Sequence, residues 1–431
     1  MVVSPLARAG GDFREIEMKK RRVVVTGLGV VASNGIGTDN FWEANINGVS
    51  GVDRITLFDA SHYQSRIAAQ IKEFDPREYM PDKIAKKVDR FVQFGLASTK
   101  MAIDDSQLDL GKEDREKIGV IVGSGLGGVL FHEEQIMSAY ERGSHRFNPL
   151  CVPRITPNAV AAHIAIQYGL LGPNLVISTA CASGNNAIGE AFRKIQNHEA
   201  DVVVSGGAEA PLTQFTFGAY CALRGVLSTK NDLPHEASRP FDRERDGFVM
   251  GEGSAMLLLE ESNHALNRGA HIYAEIIGYG QTSGAYHMVM PQPEGEEAAA
   301  AMILTLREAG LKLSDVDYIN AHGTSTLAND IAETKAIKKV FGEYAYDVPI
   351  SATKSMVGHA IGAAGAIEAV ASCLVIEHQI IPPTINYEHP DPECDLDYVP
   401  NGPRKAKVDI ALSNSFGFGS VNACILFRRY A

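Results

Sequence analysis

Short apolar runs alternate along the chain with longer Ala-rich stretches in which hydrophobic residues recur at helical spacing. Val23-Val24-Val25 and residues 118–122 read as strands, and residues 91–104 and 158–168 read as helices. After about residue 270 the pattern recurs, with strands expected at 272–277, 318–320 and 348–350. The alternation predicts α/β layers, and its recurrence predicts two halves of similar build. No solenoid period and no low-complexity tract is visible.

A matched pair of turns supports the duplication. In the first half Leu175-Val176-Ile177 runs through Ser178-Thr179-Ala180 to Cys181 and the small residues Ala182-Ser183-Gly184, ahead of a helix expected over 185–192. A thiol there is expected to be presented rather than buried, near a helix N-terminus whose N–H groups and dipole favour the thiolate. The layout is that of a nucleophile elbow with Cys in place of Ser. An isolated free cysteine is more often a small buried hydrophobe; the small-residue turn shifts the balance toward function. In the second half Ile350 leads through Ser351-Ala352-Thr353 to Lys354 and on toward Gly358. One turn presents Cys and its counterpart Lys, and a pseudo-twofold relation between the halves would deliver both to one central cleft.

A nucleophilic thiol needs partners that move protons or stabilise an oxyanion. Two of the thirteen histidines stand where sites gather in α/β folds. His322 follows the strand-like Tyr318-Ile319-Asn320, and His359 precedes a small-residue helix that carries Glu368. The other eleven, His163 and His287 among them, read as structural or surface residues. Lys354 and Glu368 flank His359 at a spacing that favours a site role over a solvated lysine and a buried structural acid.

Composition narrows the field. The chain has 431 residues, 45% of them hydrophobic, and a net charge of −12, which argues against general nucleic-acid binding. Against that background Lys83, Lys86 and Lys87, with Arg90 just beyond, form a basic cluster at helical spacing; such a run is usually a solvated face, and here it also fits docking of an acidic partner. The six cysteines show neither a C-x-x-C pair nor metal-ligand spacing, which predicts free thiols in a reducing compartment and no metal. No stretch reads as a membrane span, and residues 1–19 read as a disordered leader without the features of a secretory or organelle signal, so a cytoplasmic location is expected. Gly123-Ser124-Gly125-Leu126-Gly127-Gly128 contains the pattern G-x-G-x-x-G but lacks a well-placed ribose-binding acid, since Glu141 lies in a polar, exposed stretch. Its glycines instead read as positions where backbone approaches another chain or a ligand. Near the C-terminus, aromatics alternate with glycines in Asn414-Ser415-Phe416-Gly417-Phe418-Gly419-Ser420, which reads as a turn with core phenylalanines or as a mobile flap over an apolar tunnel.

Taken in order, Thr179-Ala180-Cys181-Ala182-Ser183-Gly184, Ser238-Arg239-Pro240-Phe241-Asp242, Ala321-His322-Gly323-Thr324-Ser325-Thr326, Lys354 to His359, and Asn414 to Gly419 resemble the β-ketoacyl-acyl carrier protein synthases, most closely the type II elongating members. The resemblance runs from about Lys20 to Arg429. It implies the thiolase fold, with two βαβαβαββ-like halves in a five-layered αβαβα sandwich, divided here at 268/269, and a homodimer. It implies decarboxylative condensation of malonyl-acyl carrier protein with a Cys-bound acyl chain, lengthening it by two carbons in fatty acid synthesis. No cofactor is implied, since the substrates ride on the carrier's phosphopantetheine arm.

The resemblance also assigns roles. Cys181 takes the acyl chain, His322 and His359 stabilise the malonyl-derived enolate, Lys354 orients the site and Glu368 supports it. The Cys181 and Phe418 amides form an oxyanion hole, with Phe416 and Phe418 at the gate. Leu126 lies in the acyl pocket, Thr324 and Thr326 hold the phosphopantetheine arm, and Lys83, Lys86, Lys87 and Arg224 dock the carrier protein. The chain departs from the family pattern at Ser420-Val421, at Gly284 where Asp is common, at Asn34 where Pro is frequent, and at Arg154 near the acyl tunnel. Two alternatives stay open: a free-standing ketosynthase of a polyketide or other specialised pathway, and a non-catalytic partner of the chain-length-factor type.

Overall fold

The structure is a computed structural model that describes residues 20–143 and 147–431; the expected leader lies outside the described residues. Ten strands make up a central sheet: β1 (Val23–Ala32), β2 (Ile118–Gly123), β3 (Asn174–Ile177), β4 (Val202–Glu209), β5 (Gly253–Glu261), β6 (Ala274–Ser283), β7 (Tyr318–Asn320), β8 (Ile350–Ser351), β9 (Ile410–Gly417) and β10 (Val421–Arg428). Their spatial order is β8-β7-β9-β10-β6-β1-β5-β4-β2-β3, and a two-residue strand, Gly35–Ile36, also pairs with β1. The principal helices are α1 (Arg90–Ser106), α2 (Ala159–Tyr168), α3 (Ser183–Gln196), α4 (Glu296–Ala309), α5 (Leu327–Phe341) and α6 (Ala364–His378).

The duplication is complete at this level. Each half runs βαβαβαββ, and in each the strands lie in the order third, second, fourth, fifth, first. Pairing senses match too: β2 is parallel to β3 and β4, as β7 is to β8 and β9, and the last two strands of each half return antiparallel. The half-sheets meet through a short antiparallel contact of β1 with β6, centred on Val24 and Glu275.

Three hydrophobic clusters account for five layers. α3 and α6 fill the middle against Val203, Leu257, Ile276 and Ile425. α1 and α2 cover one outer face over Val202, Val204 and Leu258, and α4 and α5 cover the other over Ile319, Leu412 and Leu426. Successive strand residues therefore enter different clusters, as the period of two requires. Because both faces are buried, β1 and β5 carry long apolar runs rather than an alternating pattern. At the centre, a Cβ on Gly184 would lie 2.7 Å from the Ala366 amide nitrogen, so glycine permits the close approach of α3 and α6.

Three expectations need correction. Residues Ile361–His378 are long and apolar enough to pass for a membrane span, yet they are buried in the middle layer, where apolarity serves packing. The glycines of 123–128, expected to let backbone approach another chain or a ligand, approach their own chain instead, with Cβ positions 2.4 Å from Ser183 at Gly123 and 2.2 Å from the Arg154 carbonyl at Gly128. The helix bearing the lysine cluster is only Asp82–Ala85, so Lys86 and Lys87 lie beyond it.

Candidate active site

The loops that leave the C-terminal ends of the parallel strands β3, β7 and β8 build the site. After β3 the chain turns sharply at Ala180, a non-glycine residue held at φ 50°. The turn is clamped by Ser183, whose hydroxyl donates to the Ala180 carbonyl at 2.6 Å and accepts from the Thr179 amide at 2.9 Å. Cys181 follows, two residues before α3 begins. Contrary to expectation, the thiol is buried, at 5% exposure. The cover comes from the other half: a Cβ on Gly417 would lie 2.8 Å from the Thr179 carbonyl and 3.1 Å from the Cys181 nitrogen. Burial pushes the thiol up to about 11, against the opposing pull of the Lys354 charge and of amide hydrogen bonds from Phe418 and from Cys181 itself. The helix-end preference for thiolate is therefore outweighed by desolvation.

The second half supplies the imidazoles. His322 leaves β7, and its amide and that of Gly323 donate to the Glu333 carboxylate at 2.8 Å each. Lys354, in the turn after β8, is 1% exposed; its ammonium bonds the buried Glu368 carboxylate, donates to the His322 carbonyl at 2.7 Å and reaches His322 Nδ1 at 3.2 Å. An ammonium can only donate. Nδ1 is therefore an acceptor, and the proton of the neutral ring sits on Nε2. Burial, then the Lys354 charge, holds both His322 and His359 well below the usual imidazole range, so both rings are neutral single donors. The rings lie 5.4 Å apart, nearly perpendicular, with Phe248 edge-on to His359 and Phe416 edge-on to His322. Burial also lifts Glu368 to about 7, against Lys354.

A cleft of about 250 Å³ opens over these groups. Cys181, His322, His359, Thr324, Thr326, Phe416, Phe418 and Arg224 all line it. The Thr324 and Thr326 hydroxyls bond each other at 2.9 Å, and Phe418 stacks on Tyr220. Lys354 and Glu368 stand behind His322 rather than on the cleft wall. Leu126 is not among the residues that line this cleft; its amide donates to Glu209 at 3.1 Å. Lys83, Lys86 and Lys87 are exposed and also off the cleft wall, whereas Arg90 is tied to the buried Glu252 and drops out of the basic cluster.

Two acids escaped the sequence reading. Glu209, at the end of β4, accepts from the amides of Gly125, Leu126 and Gly362 and from the Ser124 hydroxyl at 2.6–3.2 Å. Glu333, on α5, holds the loop after β7 and also accepts from Asn414 at 3.3 Å. Burial lifts each to about 7. A lone acid ending an apolar strand was the available signal for Glu209, and the spacing of Asn329 and Glu333 on one helix face was the signal for Glu333.

The family model described as the β-ketoacyl synthase N-terminal domain matches residues 20–265, and that described as the C-terminal domain matches residues 273–388. Two curated relatives are named 3-oxoacyl-[acyl-carrier-protein] synthase 2. The one from Synechocystis is 46% identical over 96% of this chain and 99% of its own, and the one from Coxiella burnetii 47% over 96% and 99%. Among solved structures, a ketosynthase complex with the acyl-carrier protein of a type II polyketide system superposes with a TM-score of 0.88 at 38% identity, covering 96% of this chain and 100% of that one. A β-ketoacyl synthase from Burkholderia phymatum gives the same TM-score at 35% identity, covering 95% and 100%.

Proposed function

The chain belongs to the β-ketoacyl synthase family, and from that premise we propose how its cleft carries out the elongating condensation of fatty acid synthesis. Cys181 Sγ attacks the carbonyl of an acyl thioester carried by acyl carrier protein. The thioester C–S bond breaks, the carrier thiol leaves with the cysteine proton, and the acyl chain stays on Cys181. Malonyl-carrier thioester then enters, its C–CO₂ bond breaks, and the electron pair becomes an enolate whose oxygen accepts from His322 and His359. The carbanion attacks the acyl-Cys carbonyl, the resulting oxyanion accepts from the Cys181 and Phe418 amides, and collapse releases a 3-ketoacyl thioester two carbons longer. The Cys181 thiolate then takes a proton from solvent.

The observation that carries this reading is the neutral histidine pair in the cleft of a buried thiol. Neutral imidazoles, the His322 tautomer fixed by Lys354, are preorganised donors for a developing enolate, which water would have to reorganise to match. Lys354 and Glu368 act as positioning residues through His322 Nδ1. Thr324 and Thr326 hold the carrier arm, Phe416 and Phe418 form the gate, and Leu126 borders the acyl chain outside the cleft described. No cofactor takes part beyond the carrier's arm.

We assign Arg224 at the cleft mouth, with Lys83, Lys86 and Lys87, to docking of the acidic carrier. The domain division falls at 268/269, between β5 and β6. β3 is a sheet edge that carries exposed Leu175, and Ile166, Leu171 and Val152 are exposed as well; we assign this edge to pairing between two copies in a homodimer. Six free thiols fit a reducing, cytoplasmic setting.

The test is intact-mass analysis after incubation with acyl-carrier thioesters of graded length, then with malonyl-carrier protein. An adduct on Cys181 discharged as a two-carbon-longer ketoacyl product supports the reading. The likeness to a polyketide ketosynthase favours one second reading, specialised-pathway condensation. Loading by ketoacyl but not by saturated acyl donors would select it.

A further inference from the structure

Gly284 leaves β6 with a backbone conformation open to any residue, since its φ does not fall in the left-handed region. What excludes a side chain is Glu297. A Cβ at position 284 would lie 2.2 Å from Glu297 Oε1, 2.7 Å from its Cδ and 2.8 Å from its Cγ. The carboxylate thus fills the notch that glycine leaves open. The notch is held from both sides: the Gly284 amide donates to the Ser420 carbonyl at 2.7 Å, and the Thr282 hydroxyl donates to the Glu297 carbonyl at 2.7 Å.

Glu297 stands in the first turn of α4, where the helix dipole favours its charge, and it lines the cleft beside Phe416, Ser420 and Asn422. Its Oε1 is buried in the notch without a hydrogen-bond partner. Oε2 is not buried, and among the described residues it makes no hydrogen bond and the group has no ion-pair partner. A carboxylate accepts only. The cleft wall therefore carries an anchored acceptor with no donor of its own, facing the space that a substrate enters.

We propose that Glu297 is a substrate-positioning residue that accepts an amide N–H from the arm of the bound thioester. The inference rests on the carrier-linked reading given above. That arm offers secondary amides, whose carbonyls suit the hydroxyls of Thr324 and Thr326 and whose N–H groups require an acceptor. Glu297 supplies one, and Gly284 sets its position.

The test compares wild type with Glu297→Gln, Glu297→Ala, Gly284→Ala and the double variant Gly284→Ala/Glu297→Ala. Malonyl-pantetheine thioester and an amide-free S-ethyl malonyl thioester serve as probes. With the pantetheine probe, Glu297→Ala is expected to raise KM about tenfold with kcat within twofold, and Glu297→Gln, which keeps an acceptor oxygen without the charge, by less. With the amide-free probe, KM should not change. Gly284→Ala, by displacing the carboxylate, should reproduce the loss, and the double variant should add nothing further. An unchanged KM for the pantetheine probe, or an equal loss with both probes in variants that melt like wild type, would overturn the role. Acylation of wild-type Cys181 by acyl-pantetheine, read by mass in the same samples, separates the two claims. If wild type is not acylated, the carrier-linked reading itself falls, and Glu297's role falls with it.

Discussion

The turn after β3 and the turn after β8 occupy the same place in their halves, at the end of the third strand and ahead of a middle-layer helix. One buries a neutral thiol; the other buries a lysine in an ion pair with Glu368. Equivalent topology fixes where a side chain is delivered, and its neighbours then fix its charge. The halves also exchange effects: Lys354 of the second half pulls on the Cys181 thiol of the first, and residues 416–418 cover it. A second pair repeats the lesson. The loop after the second strand is clamped by a buried glutamate in each half, yet Glu209 comes from a strand end and Glu333 from a helix.

The largest break in this comparison comes from Lys354→Met. Removing one partner of a buried pair leaves Glu368 without compensation and is expected to cost about 3–5 kcal/mol of stability, together with condensation. Adding Glu368→Gln should recover most of the stability and none of the activity. Urea unfolding alongside turnover reads both, and full activity in the double variant would remove Lys354 from the site.

Next come the clamps. Glu209→Ala and Glu333→Ala each strand buried amide donors, and each should lower stability by about 2–3 kcal/mol by urea midpoint. If either is neutral, that loop is held by other contacts and the parallel between the halves fails there.

The thiol offers a finer probe. With Cys181 raised to about 11 by burial, its iodoacetamide labelling should climb about tenfold per pH unit between pH 7 and 10, followed by mass. A profile already flat at pH 7 would mean that thiolate is favoured in spite of burial.

The smallest effect lies outside the cleft, where His264 bridges Glu260 and Glu113. Those hydrogen bonds, Glu260 first, raise it from 6.5 to about 9. A raised folded value stabilises fully below pH 6.5, and the contribution is lost as pH rises through 9. The melting-temperature gap between wild type and His264→Ala, equivalent to about 1 kcal/mol, should be widest near pH 6 and close above pH 9. A constant gap would mean that packing, not charge, holds this corner.

Much of this was legible in the sequence. Small residues around Cys181, a glycine after His322 and the recurrence of Ile-led turns mark strand exits, and the motifs in order carried the family and fold. Covered groups were not legible. Cys181 is buried because residues 416–418, more than 200 positions away, fold over it, and no local pattern encodes that contact. Glu209 and Glu333 bind amides of other loops, so their clamping role shows only once those loops close on them. Leu126 lies in the loop that Glu209 holds and does not line the cleft, which its place in the sequence alone did not reveal.

The division of labour between the halves is tested most directly by crossing two variants with two half-reactions. Cys181→Ala should lose acylation yet still decarboxylate malonyl-carrier protein, while His359→Ala should still form the acyl adduct yet lose decarboxylation. Loss of both half-reactions in both variants, with the fold intact, would contradict separate capture and enolate sites contributed by the two halves.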